Sequence, residues 1–232
     1  DETLQENATT FAKEWFNKAL DNGLAMFQGN LRNIYIDEGD FNNARRVALT
    51  AAELGNPTMM LYTGLDCHEH GKFEDAFTWF TKGAALGQAE STAELADYYY
   101  HFYDTKELRR VIPYDPVKAI GLYRRAATKY FSDAGYAALQ AAFGYIFHIG
   151  HLPLDWGLIA DLTHMAATKE RFMFSLPYIG YMRIHGLGVT KNIRFGVQSL
   201  TRVLDEEKRA LEEEDRVLFY DITRALTRVA LG

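Results

Sequence analysis

One short phrase recurs along the chain at nearly constant spacing, and it limits the possible folds more than any other feature. The phrase reads Ala-x-x-large-large-x-Lys/Arg-small-small-x-x-Gly. Its copies begin at Ala12, Ala44, Ala76 and Ala119, and weaker copies begin at Ile159 and Gly196. Successive copies start 32 to 43 residues apart. Because this period is typical of stacked helix pairs, the chain is predicted to form a helical repeat protein.

The phrase itself has the spacing of one helix face. In the copy that begins at Ala76, the residues Trp79, Phe80 and Gly83 follow at the i+3, i+4 and i+7 positions. The glycine that closes this copy, Gly87, fits the position just past a helix end, where the backbone becomes left-handed. We call the helix that the phrase predicts helix B.

A second pattern precedes helix B and predicts its partner, which we call helix A. It reads large-small-x-x-aromatic, and its copies carry Leu95-Ala96, Phe143-Gly144 and Ile179-Gly180 at the first two positions. Gly64 fits the small position of an earlier copy, whereas Leu31 and Tyr35 keep only the flanking members of another. The small residue would allow helix B to approach helix A closely.

The two patterns together resemble the Sel-one-like repeat, a relative of the tetratricopeptide repeat. The best loop match runs from Ile179 to Val189, and the best helix B matches run from Trp79 to Gly87 and from Lys118 to Ala127. Only the repeat near Gly186 keeps the Gly-x-Gly-Val turn of the family. The resemblance implies a protein-binding role, which in similar bacterial proteins includes scaffolding, envelope signalling and the neutralisation of secreted effectors by immunity proteins.

The patterns and the resemblance predict an all-α fold, a right-handed α-solenoid (superhelix) of about six antiparallel helix pairs. We expect a single solenoid domain over residues 1–232, with repeats over 8–207 and a C-terminal capping helix within 208–232. An insertion loop is expected over 104–116, where Pro113, Pro116 and the Arg109-Arg110 pair separate helix A from helix B. Insertions in solenoids fall on one face, which is often the binding face.

Charge and cysteine content exclude several functions. A net charge of −6 argues against nucleic-acid binding, and the basic residues near the insertion loop are typical of solvated helix ends. Apolar runs are too short for a membrane span. The single cysteine, Cys67, excludes an internal disulfide and falls at a packed position, where a thiol is usually inert.

Histidine and tyrosine side chains supply the candidate binding surface. Positions one, four and five after the small residue of helix A share a face, and by analogy with tetratricopeptide-like stacks that face lines the concave groove. The predicted partner-binding residues there are Leu65, His68, Glu69, Asp97, Tyr100, His101, Tyr145, His148, Tyr181 and His185, with Arg109 and Arg110 added by the insertion loop. The alternative is that these side chains bond between neighbouring repeats and contact no ligand.

No enzyme or metal motif is present in the sequence. A glycine-rich phosphate loop, a Gly-x-Ser-x-Gly elbow, His-Glu-x-x-His and Cys-x-x-Cys are all absent. The run from Cys67 to His70 cannot converge on one ion, because adjacent helical residues point about 100° apart. We therefore expect no catalytic residues, no metal and no cofactor. An active site assembled in the groove is the alternative.

The sequence thus predicts a non-catalytic module that binds a partner protein on its concave surface. If the chain is an immunity protein, the partner is a secreted effector. If it is an adaptor, the partner is a component of an envelope or secretion assembly. The chain begins at Asp1 without a methionine. This favours a periplasmic or otherwise exported location over the cytoplasm.

Overall fold

The structure is a computed structural model that describes residues 2–24, 27–101, 105–129, 131–169 and 172–212. Every regular element within these ranges is a helix. The helices are α1 (Glu2–Asp21), α2 (Gln28–Asp37), α3 (Phe41–Glu53), α4 (Pro57–Glu69), α5 (Phe73–Ala85), α6 (Ala89–Tyr100), α7 (Lys106–Val111), α8 (Pro116–Ala127), α9 (Ala134–Ile146), α10 (Trp156–Thr168), α11 (Phe172–His185) and α12 (Ile193–Glu212), with a short 3-10 helix (Ile149–His151) after α9.

The chain forms two compact units, Asp1–Asp115 and Pro116–Gly232. Within each unit, helices that follow one another in sequence pack against one another, from α1 to α6 in the first unit and from α8 to α12 in the second. Helices α1, α3, α5, α8, α10 and α12 carry the predicted B phrase, and α2, α4, α6, α9 and α11 are the A helices. The all-α helical repeat fold is confirmed. That the whole chain is one continuous domain stays a prediction.

Glycines end the B helices as the phrase predicts. Gly23, Gly55 and Gly87 all have positive φ angles, between +76° and +93°. After α3, the Gly55 amide donates to the Ala52 carbonyl at 3.0 Å, which satisfies a carbonyl at the helix end. Asn56 then caps α4 by accepting from the amides of Thr58 and Met59. A turn this short makes α3 and α4 antiparallel.

The small residues of helix A permit close helix packing. A Cβ atom on Gly64 would lie 2.6 Å from Cε1 of Phe80, a side chain with no exposed surface. A Cβ on Gly144 would overlap the buried Ile120 side chain in the same way. Since real Cβ contacts are longer than this, only glycine fits at these positions.

The predicted insertion loop contains a helix that the sequence did not reveal. Helix α7 begins after Thr105, whose hydroxyl accepts from the Leu108 amide at 3.1 Å. Leu108 and Ile112 are buried, and α7 packs on α5. Asp104 lies outside the described residues. So do residues 213–232, which include most of the predicted capping helix; α12 itself continues through the expected boundary at 207 to Glu212.

Candidate binding groove

A groove of about 740 Å³ lies between two successive helix pairs of the first unit, α2/α3 and α4/α5. Its lining combines three kinds of side chain. Arginines come from α2 and α3, acidic residues from α4 and α5, and aromatic residues from α3, α4 and α5. These residues are Arg32, Arg45 and Arg46; Asp66, Glu69 and Asp75; and Phe41, Tyr62 and Trp79.

The two adjacent repeats that line the groove differ in side-chain size at matched positions. In the second pair, the small residue Gly64 on α4 faces the large Phe80 on α5. The corresponding residues of the first pair, each 32 positions earlier, are Arg32 on α2 and Ala48 on α3. The large residue is therefore on the A helix and the small one on the B helix. Both Arg32 and Ala48 line the groove.

The Arg32 side chain lies against the Tyr62 ring. Its guanidinium carbon lies 3.8 Å from the centre of the Tyr62 ring, which is within the range of a strong cation–π contact. The side chain is half-buried. Within the part of the chain that the structure describes, Arg32 makes no hydrogen bond or ion pair. Its planar face is thus covered, while its N–H groups have no protein acceptor there.

The other two arginines of the groove have polar partners. Arg45 Nε donates to Asp66 Oδ1 at 2.5 Å, which ties α3 to α4. Arg46 donates to the side-chain oxygens of Asn43 and Asn17. Because these contacts are solvent-exposed, they orient the arginines more than they stabilise the fold.

Exposed apolar surface borders the arginines. Phe41 and Leu49 on α3 are 57% and 42% exposed, and both line this one groove. Trp79 is half-buried, and Lys82 lies over its ring at 4.3 Å. The thiol of Cys67 also lines the groove, and burial raises its pKa above the usual range, so it is protonated at neutral pH.

Of the residues that the sequence predicts on α4, Glu69 and Leu65 line this groove, whereas His68 does not. His68 Nδ1 shares a hydrogen bond of 2.7 Å with the hydroxyl of Tyr98 on α6, and its ring packs edge-on against Phe73 and Tyr98. Burial lowers the pKa of His68. For this residue the structure matches the alternative, a contact between repeats.

Three predicted residues meet beside the insertion. Tyr100, His101 and Arg109 line a shallow depression of about 500 Å³ together with Tyr114. His101 ends α6 with a φ of +54° and lies 2.9 Å through Nε2 from the Ile112 carbonyl. Asp97 is buried rather than available on a surface. Arg110 is exposed and does not line the depression.

The remaining predicted residues lie in the second unit. Tyr145 is 7% exposed, and its hydroxyl accepts from Arg124 Nη1 at 3.0 Å, so the side chain packs between helices. His148 has a φ of +50° and contacts the Leu152 carbonyl through Nδ1. The rings of Tyr181 and His185 contact each other at an angle of 47°, with their centres 4.5 Å apart. His148 and His185 are exposed.

The described residues offer neither a metal cluster nor a membrane-spanning helix. They contain no cluster of three or more histidine, cysteine, aspartate or glutamate side chains that could hold a metal ion. No helix among them combines the length and the apolar character needed to cross a membrane.

Arg32 and Tyr62 are not among the predicted site residues, although the sequence carries a signal for Arg32. It occupies the position at which the other A helices have Gly64, Ala96, Gly144 and Gly180. A long cationic side chain at a position that requires a small residue elsewhere marks the repeat as different. Tyr62 carries no comparable signal, because its partner is a whole repeat away.

Comparison with known proteins finds the same repeat. The Sel1 repeat family model matches residues 6–24, 48–88, 89–130 and 178–198, together more than half of the chain. A protective antigen present in uropathogenic Escherichia coli strains, which displays an SLR fold, superposes with a TM-score of 0.67 at 19% identity over 86% of this chain. The chain spans 42% of that antigen.

A Sel1 repeat protein from Oxalobacter formigenes superposes with a TM-score of 0.58 at 18% identity, covering 78% of this chain and 73% of the other. At such identities the likeness concerns the fold alone. No curated protein matches the chain.

Proposed function

Because the chain belongs to the Sel1 repeat family, whose repeats are protein-interaction modules, we propose that it binds a segment of a partner protein in the groove between α2/α3 and α4/α5. The role is one of binding, and no catalytic step is part of the proposal. The partner segment would lie across the two helix pairs and contact side chains from both.

One observation carries this proposal. Exposed apolar side chains, Phe41 and Leu49, share a groove with a stacked arginine, Arg32, and with the Trp79 ring. Aromatic residues and arginine are the types enriched at the centres of protein interfaces, where rigid area and directed hydrogen bonds coincide. A polypeptide supplies both an apolar side chain and polar groups within the span of such a groove.

The proposal is tested by selecting binding peptides from a random dodecapeptide library displayed on phage, with the whole chain as the target. Selected peptides are then synthesised and their affinities measured by fluorescence polarisation. We expect Leu49→Asp to weaken binding strongly, because it places a charge where an apolar side chain would pack. Leu86→Asp is the matched control, since Leu86 is an exposed leucine of the same unit that does not line the groove.

A second readout locates the bound peptide directly. A selected peptide that carries a benzophenone group should, on illumination, cross-link to the helices that line the groove, and the cross-linked residues are located by mass spectrometry of the digested protein. Peptides that bind Leu49→Asp as tightly as the parent chain, or that fail to cross-link, would place the binding surface elsewhere. A selection that yields no peptide would refute the proposal.

The narrower roles inferred from the resemblance are versions of this proposal. An immunity protein would hold one secreted effector at one-to-one stoichiometry, whereas an adaptor would recover several components of an envelope or secretion assembly. Affinity purification with the parent chain and with Leu49→Asp in parallel separates them. Only proteins lost in the variant count as partners of the groove.

A further inference from the structure

We infer that the segment bound in this groove carries a carboxylate, which Arg32 binds through two parallel N–H···O hydrogen bonds while a neighbouring apolar side chain of the segment packs on Phe41 and Leu49. The inference rests on the proposed function and names the chemistry of the partner. The carboxylate is that of an aspartate or glutamate side chain of the partner segment.

The state of Arg32 is the main evidence. The residue is half-buried, and its guanidinium carbon lies over the Tyr62 ring, 3.8 Å from the ring centre. Among the described residues it has no acceptor for its N–H groups. A planar guanidinium that is already stacked loses little rotational freedom on binding, and its edge matches the two oxygens of a carboxylate.

The charges around Arg32 favour an acidic ligand on this side of the groove. Arg46 adds a second positive charge, which the side chains of Asn43 and Asn17 orient and which the Asp40 carboxylate partly offsets. The charge of Arg45 is offset by Asp66, with which it pairs. The other ionisable groups of the lining are Glu69, Asp75 and Lys72, all from the α4/α5 pair, and Lys72 offsets part of their negative charge. A carboxylate beside α2 and α3 therefore meets the cationic part of the lining.

The test uses the dodecapeptides selected above, synthesised with amidated carboxyl termini. We expect an acidic residue to recur near an apolar residue in the selected set. Replacing that residue by its amide, Asp→Asn or Glu→Gln, should weaken binding about tenfold, which corresponds to about 1.4 kcal/mol. Peptides with a free carboxyl terminus form a parallel arm. If only they bind well, the carboxylate is the terminal one, and its assignment to a side chain is overturned.

Variants of the protein assign the effect to Arg32. In Arg32→Gln the acidic peptide and its amide should bind with equal affinity. Arg32→Lys keeps the positive charge but cannot make two parallel hydrogen bonds, so it should recover only part of the preference for the acidic peptide. Lys82→Gln is the matched control: it removes a cation stacked on Trp79, a groove residue, but Lys82 itself does not line the groove. This control should keep the full preference for the acidic peptide.

The outcomes separate the inference from the function on which it rests. Peptides that cross-link to residues of the groove and are lost in Leu49→Asp, yet bind equally as acid and amide, would overturn the carboxylate and leave the groove as the binding site. A preference that survives in Arg32→Gln but is lost in Arg46→Gln would overturn the assignment to Arg32. Failure to find any groove-binding peptide would overturn both proposals together.

Discussion

A pair of glycine-to-alanine substitutions tests whether close helix packing sets the geometry of the repeats. Gly64 lies inside α4 and faces Phe80, whereas Gly121 lies inside α8 and has no atom within 4 Å of the place where a Cβ would stand. Both substitutions gain the same intrinsic helix propensity, about 1 kcal/mol. The two substitutions therefore differ only in the atoms that the added methyl group would contact.

For Gly64→Ala the methyl group would stand 2.6 Å from Cε1 of Phe80, whose ring is fully buried and cannot move away without displacing its neighbours. Overpacking of this kind costs about 1–3 kcal/mol. After the propensity gain, Gly64→Ala should destabilise the protein by about 0–2 kcal/mol, whereas Gly121→Ala should stabilise it by about 0.5–1 kcal/mol. The difference between the two variants measures the packing cost.

Urea unfolding followed by far-ultraviolet circular dichroism gives both free energies. If the two units unfold in separate transitions, each variant shifts the transition of its own unit. The changes in the free energy of unfolding are then still opposite in sign for the two variants. The double variant Gly64→Ala/Phe80→Leu supplies the control, because a smaller side chain at 80 should remove part of the cost, giving a coupling energy of about 0.5 kcal/mol or more. Equal stabilisation by Gly64→Ala and Gly121→Ala would refute the packing argument.

Three further predictions concern single residues of the first unit. Asn56→Ala should cost about 1 kcal/mol in urea unfolding, because it removes the cap of the first two free amides of α4; no loss would mean that the cap is redundant. Burial lowers the pKa of folded His68 below the ordinary 6.5, so the unfolded chain binds the proton more readily and stability should fall as the pH drops below about 6.5. Thermal unfolding of His68→Gln should then depend less on pH, and an equal pH dependence in both proteins would exclude His68 as the source. Cys67 should react slowly with iodoacetamide at neutral pH, because burial raises its pKa, and rapidly in urea; equal rates would contradict its burial.

Periodic features of the fold could be predicted from the sequence. The residues that end helices, such as Gly55 and Gly87, act through their own backbone, so their role is local and visible in the repeat phrase. The close approach at Gly64 could likewise be predicted, because a small residue recurs at the same position of successive A helices. Helix α7 was missed because six residues, Lys106–Val111, are too few to show a helical period.

The candidate site was less accessible to prediction, because spacing defines a helix face but not what covers it. His68 is on the expected face, yet Tyr98 from the next A helix bonds to it, and Tyr145 is held by Arg124. Glu69 does line the groove. The stacking of Arg32 on Tyr62 depends on two side chains from different repeats, and it follows from the fold rather than from either local pattern.

The position of the groove across two helix pairs has a thermodynamic consequence. In a linear array each helix pair is held by its neighbours, so a segment bound across α2/α3 and α4/α5 adds a nearest-neighbour coupling to that one junction. At about 100 times its dissociation constant, the segment would raise the free energy of local opening by about 2.7 kcal/mol. Amide hydrogen exchange should slow about a hundredfold in the core of these four helices, where exchange requires their joint opening. Binding in the groove would thus raise the cooperativity of unfolding locally, at the junction of these two helix pairs.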